Sequence, residues 1–143
     1  MTLLVDSNVW IAAHDGQDPD HEPSARLLIE RAGELIAPMT VIAEAAWFIE
    51  DRFGPAREAD FVRLVTTGAV GIVELTTGDW RRCVDLIEAY APLGLGIVDE
   101  SVVAVAERLG LTEIATMNGR DFYAVRPAHC DGFTLLPEGL ARS

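Results

Sequence analysis

LLVDSNVWIAA, residues 3–13, decides the fold. An uncharged apolar run leads into Asp6, so Thr2 to Asp6 is predicted as a short strand. The pattern then changes, and Ser7 to His14 reads as a short helix. An acid at such a junction has an ordinary explanation, because Asp and Ser both cap helices well. It gains a second one if other acids converge on the same strand end.

Outward from this unit the alternation repeats. Residues 15–23, DGQDPDHEP, form a breaker-rich loop. A helix follows from Pro23 to Gly33, with Ala25, Leu28, Ile29 and Ala32 at helical spacing. Leu35 to Ala37 is a brief strand, and Thr40 to Phe53 a strong helix stopped by Gly54 and Pro55. Pro55 to Thr67 is a helix and Val70 to Leu75 a strand. Gly78 to Tyr90 is a helix with Trp80, Val84, Ile87 and Ala91 on one face. Val98 to Leu109 is a helix closed by Gly110, and Glu113 to Met117 and Phe133 to Leu136 are the last strands. Strands alternating with helices predict an α/β fold, a mainly parallel sheet between helical layers. In such sheets ligands bind beyond the carboxyl ends of the strands. Asp6 and Asn118 both fall there.

The 143 residues suit one domain spanning 1–143, and half of them are apolar, so a core forms without staples. No apolar run is long enough to cross a membrane, and the start lacks the basic region of a secretory signal, so a cytoplasmic protein is expected. Two cysteines without a CxxC pair argue against a disulfide framework or a thiolate zinc site. Cys83 and Cys130 read as small packing residues. The formal net charge of −12 excludes an extended basic surface for nucleic acid. It does not exclude a nucleic-acid enzyme whose carboxylates hold cations.

Three acids sit where the chain is otherwise apolar. Glu44 is the one polar residue in VIAEAAWFI, residues 41–49. Burying an unpaired carboxylate costs several kcal/mol, so it requires a cation or several donors. An arginine partner or a gap to solvent are the alternatives. Asp99 lies between Ile97–Val98 and Val102–Val103, where a first-turn acid is also favoured by the helix dipole. Glu100 beside it reads as a cap partner or a solvated acid. Converging acids repel unless a divalent cation stands between them. Mg²⁺ takes oxygen ligands, keeps several waters, and activates water for attack on phosphate.

LLVDSNVWIAA, VIAEAAWFI, LGLGIVDESVVAVAERLGL and IATMNGRDFYAVRP, in this order and over nearly the whole chain, resemble the PIN domain family. Within it they look like the VapC toxins of bacterial toxin–antitoxin pairs. The resemblance implies a three-layer α/β/α fold and Mg²⁺- or Mn²⁺-dependent RNA cleavage. It also implies a small antitoxin partner reaching into the acidic site, and a homodimer. It matches Asp6, Glu44 and Asp99 to the family's first three acids, with Asp6 and Asp99 as the expected metal ligands. Ser7 and Thr116 match small polar positions that support the site.

One position departs. Where the family usually has A-T-x-D, this chain reads Ala115-Thr116-Met117-Asn118. Asparagine keeps the shape and one carbonyl oxygen but loses the charge. Asp121, three residues on, matches another acid of these toxins and is expected to supply the missing charge; the alternative is a turn acid paired with Arg120 or Arg126. Arg120 and Arg126 are candidate RNA-backbone contacts. Trp10, Trp47 and Trp80 are assigned to core or dimer contacts rather than base stacking.

Three competing functions remain. Asn118 suggests a catalytically weakened module that binds RNA or antitoxin. His14, His21 and His129 are the only candidates for metal-independent acid–base cleavage, and no pair among them is evident. A small-molecule phosphohydrolase would use the same carboxylate chemistry.

Overall fold

β1 (Leu3–Val5) is wholly buried and lies at the centre of the sheet. The computed structural model describes residues 1–137, so residues 138–143 of the expected domain lie outside the described residues. After β1 come α1 (Ser7–His14), α2 (His21–Glu30), β2 (Leu35–Pro38), α3 (Met39–Phe53), α4 (Pro55–Thr66) and β3 (Gly71–Val73). The chain continues through α5 (Thr77–Ala89), α6 (Ile97–Leu109), β4 (Glu113–Ala115), α7 (Gly119–Ala124) and β5 (Thr134–Leu136). The strand order is β3-β2-β1-β4-β5, and every pair is parallel. The expected three-layer α/β/α fold is therefore present.

The topology places the site. The chain builds outward from β1 to β2 and β3, then crosses back to add β4 and β5 on the other side. Between β1 and β4 the winding reverses, and such a switch point leaves a crevice at the carboxyl ends of its strands. The register sets Val5 against Ala115, so Asp6 and Thr116 emerge together. The backbone N–H of Asp6 donates to the Ala115 carbonyl at 2.8 Å. Leu3, Leu4, Ile114 and Ala115 are fully buried, as strands covered on both faces require. Val102 through Ala106 of α6 are all buried too, since a helix apolar on every side belongs inside.

Several local expectations change. α2 starts at His21 rather than Pro23, and its Ile29 is exposed while Leu27 is buried. The α5 stripe Trp80, Val84 and Ile87 faces outward, and Asp79, Cys83 and Leu86 face in. A capping box fixes that rotation: Asp79 N–H donates to Thr76 Oγ1 at 3.1 Å, and Thr76 N–H to Asp79 Oδ2 at 2.9 Å. Arg108 of α6 completes it, its Nε 3.0 Å from Asp79 Oδ2 and its Nη2 donating to the Glu74 carbonyl. Burial pushes the Asp79 carboxyl up, but the bonds from Arg108 and Thr76 outweigh it and leave it below the usual range. Arg108→Ala would strand a buried carboxylate and is expected to destabilise the fold by about 2–3 kcal/mol in urea unfolding. Of the tryptophans assigned to core or dimer contacts, Trp10 joins the core, whereas Trp47 and Trp80 are exposed, which leaves them the dimer alternative.

Glu100 is a further correction. It is not solvated but 1% exposed. It stands close enough to Cys83 that, with burial as the main cause, it helps push that thiol up to about 11. One residue along a helix is a rotation of about 100°, so with Asp99 in the crevice Glu100 turns away from it. Cys83 is buried as expected; Cys130 is only half-buried.

Candidate active site

Asp6 both caps α1 and faces the crevice, so its two readings are not exclusive. One carboxylate oxygen accepts from Ser7 N–H at 2.8 Å and the other from Thr116 Oγ1 at 2.8 Å. The side chain is 2% exposed. Burial raises its pKa to about 6; the bonds from Thr116 and Ser7 oppose that rise, and repulsion from Glu44 adds to it.

Thr116 is held in turn by its neighbours. Its Oγ1 accepts from Asn118 N–H at 2.9 Å, and Met117 N–H donates to Asn8 Oδ1 at 3.1 Å. These bonds tie the loop after β4 to the start of α1. Glu44 reaches the same crevice from α3, and the Ser7 hydroxyl donates to its Oε1. Ser7 thereby fixes a second acid as well as capping beside the first.

Asp99, in the first turn of α6, has its pKa raised to about 7. Burial is the largest cause, followed by repulsion from Asp6, Asp121, Glu44 and Glu100. The acids singled out from sequence are thus close enough to perturb one another. Asn118 Nδ2 donates to Asp99 Oδ2 at 3.3 Å and to Asp121 Oδ2 at 3.0 Å. Its neutral amide stands between two carboxylates and lowers their repulsion without adding a charge.

Asp6, Ser7, Glu44, Asp99 and Asn118 line one cleft of about 540 Å³. Asp121 does not line it and touches the cluster through Asn118. Asp18 and the α3 residues Phe48 and Arg52 do line it, and sequence reasoning missed all three. Their signal was faint: Phe48 and Arg52 follow Glu44 at successive steps of four. Arg120 and Arg126 are exposed and away from the cleft wall. The three histidines each bond a backbone carbonyl, of Trp10, Ala12 and Leu111, and none lines the cleft.

The donor set fits a hard divalent cation. It is all oxygen, and its two most perturbed acids, Asp6 and Asp99, repel each other where a cation would relieve them. Among the described residues no group of three or more His, Cys, Asp or Glu closes around one point. An ion here would take few protein ligands and keep several waters, which is the habit of Mg²⁺. Among the described residues, no helix is long and apolar enough to cross a membrane.

Known proteins share this fold. Ribonuclease VapC26 of Mycobacterium tuberculosis is 25% identical over 135 residues, covering 94% of this chain and all of that protein. The crystal structure of VapC20 from the same organism, described as a sarcin-ricin loop cleaving toxin, superposes with a TM-score of 0.74. It is 17% identical and covers 79% of this chain and 87% of that one. DNA-bound VapBC from Salmonella typhimurium gives a TM-score of 0.69 at 17% identity, covering 94% of this chain and 96% of that one. The PIN domain model matches residues 3–126, most of the chain including every acid of the site. The chain belongs to the PIN domain family.

Proposed function

We propose that the protein is a metal-dependent endoribonuclease of the VapC toxin type, hydrolysing RNA phosphodiester bonds and neutralised by a small VapB-like antitoxin. The observation that carries this reading is the convergence of Asp6, Glu44 and Asp99, from three elements, on one cleft at the switch point of the sheet. The names of the relatives, a ribonuclease VapC and VapBC complexes, support the same class.

Asp6 and Asp99 would hold Mg²⁺ or Mn²⁺, which when bound supplies Lewis acidity and a more acidic water. Thr116 and the Ser7 N–H keep Asp6 aimed at the cleft. Glu44, steadied by the Ser7 hydroxyl, would orient the attacking water and accept its proton. Asn118 holds Asp99 and Asp121 in position. Water oxygen attacks phosphorus, the bond to the leaving ribose oxygen breaks, and that oxygen takes up a proton. Cleavage of RNA with Mg²⁺ or Mn²⁺, lost in excess chelator, is the expected result. Chelator-resistant cleavage would move the chemistry to other residues, and preferential hydrolysis of phosphate monoesters would change the substrate class.

Asn118 favours the second reading, a weakened module. If that reading holds, Asn118→Asp raises RNA cleavage more than about tenfold, equivalent to 1.4 kcal/mol. Strong cleavage by the unmodified chain removes it.

The homodimer belongs to the same proposal. Trp80, Val84 and Ile87 form an exposed apolar stripe on α5, flanked by Arg81 and Glu88 two turns apart. A second copy packed antiparallel on this face sets Arg81 of one against Glu88 of the other. Val84→Asp is expected to shift the chain from dimer to monomer in sedimentation velocity.

A further inference from the structure

Glu44, Phe48 and Arg52 recur at intervals of four along α3, so they share one helix face. All three line the cleft. Each step is about 6 Å along the axis, close to the reach of one nucleotide. Exposure increases along the row: Glu44 and Phe48 are half-buried, and Arg52 is exposed. The row therefore runs from the acid cluster toward solvent.

Two features set the outer pair apart from ordinary packing. Phe48 is not among the side chains packed on the hydrophobic core. Its aromatic neighbour is the exposed Trp47, edge-on at 4.9 Å between ring centroids. Arg52 is the one cation among the described residues lining the cleft, where the other charged groups are Asp6, Asp18, Glu44 and Asp99. Its one ion pair among the described residues, with Asp15, spans 3.9 Å with the arginine side chain 48% exposed. Such a pair is weak, and an incoming phosphate readily displaces it. The guanidinium carbon sits 5.6 Å from the Phe48 ring centroid, so charge and ring form one unit.

A chain of net charge −12 repels a polyanion, and a cation at Asp6 and Asp99 offsets that repulsion only locally. A strand leaving those acids along α3 would meet a positive group and an aromatic surface, Arg52 and Phe48. We infer that Phe48 and Arg52 form a single-stranded RNA subsite, Phe48 stacking a base beside the scissile phosphate and Arg52 holding the next phosphate. The inference rests on the ribonuclease reading and adds to it the path of the substrate. Single strands suit it, because only an unpaired base offers its face to a ring.

The test is steady-state cleavage of a short single-stranded RNA with Mg²⁺ over a range of salt. Arg26, exposed on α2, carries the control substitution Arg26→Gln with the same change of charge. Arg52→Gln is expected to raise KM about fivefold to tenfold, leave kcat within about twofold, and flatten the salt slope of log kcat/KM by about 0.7. Phe48→Leu is expected to raise KM about tenfold, whereas Phe48→Tyr, which keeps the ring, stays near the unmodified value. Thermal melts confirm that each variant is folded. If the unmodified chain cleaves RNA but Arg52→Gln matches Arg26→Gln in KM and salt slope, the subsite is overturned and the ribonuclease reading stands. If the unmodified chain cleaves no RNA, both fall.

Discussion

Asp99→Asn is expected to abolish RNA cleavage while making the metal-free protein more stable at pH 8. On the proposed metal-dependent reading, the substitution removes one of two charged oxygen donors that would hold the ion, and the activity loss is on the order of 10³-fold, or about 4 kcal/mol of transition-state stabilisation. The gain in stability follows from the same crowding. Burial, then Asp6, Asp121 and other acids, raise the Asp99 pKa to about 7. At pH 8 an ionised Asp99 is therefore a strained charge, and asparagine is the same shape without it. The Asn118 amide, 3.3 Å from Asp99 Oδ2, can still donate to the new carbonyl oxygen. Well below the ordinary carboxylate value of 3.8 Asp99 is protonated in both states, and the two melting temperatures should converge there. Cleavage assays, and calorimetric melts at pH 8 and in that acid range, decide it. Equal stability at pH 8 would mean that Asp99 does not bear the repulsion assigned to it.

The second prediction concerns the unmodified chain. In chelator, ionisation of Asp6 and Asp99 is expected to lower its stability as pH rises from about 4 to 7, and Mg²⁺ to restore it at the upper end. The folded pKa of Asp6, about 6, lies above its ordinary 3.8. The folded state therefore holds more protons than the unfolded state in that window, and the sign of the linkage makes stability fall as pH rises. The stabilisation is complete below the unfolded pKa and lost as pH passes the folded one. For Asp6 the difference is about 3 kcal/mol, or roughly 10 °C in Tm for a chain of this size. Asp79 and Glu107 have lowered pKa values and push the opposite way, chiefly below pH 4. Asp99→Asn, titrated in parallel, isolates the share of Asp99. Mg²⁺ at a hundred times its Kd should return about 2.7 kcal/mol at pH 7. A melting temperature unaffected by Mg²⁺ at pH 7 would count against a cation at these acids.

Both predictions rest on acids that are legible in the amino-acid sequence. Asp6, Glu44 and Asp99 stand out because each interrupts an apolar segment, and a carboxylate there needs a partner. The parallel sheet is legible too, because strand and helix patterns alternate along the chain. The short helix α7 (Gly119–Ala124) is not, since six residues hold too few turns to display a period.

What the sequence determined by itself was the kind of fold and the neighbourhood of the site. Tertiary structure decided rotation and pairing. It chose Asp99 over Glu100 for the cleft, though the two are adjacent in sequence. It turned the apolar stripe of α5 outward because Asp79 is anchored to Arg108, 29 residues away. It set Thr116 on Asp6 across 110 residues and put Arg52, rather than Arg120 or Arg126, in the cleft wall. The physical reason is the range of the forces. Apolar periodicity is written in neighbouring residues, whereas the partner of a buried charge is chosen by which distant segment the fold brings within a hydrogen bond of it. For the acids at the end of β1 and the start of α6, sequence marked them as out of place, and only the closing of the sheet made them a site.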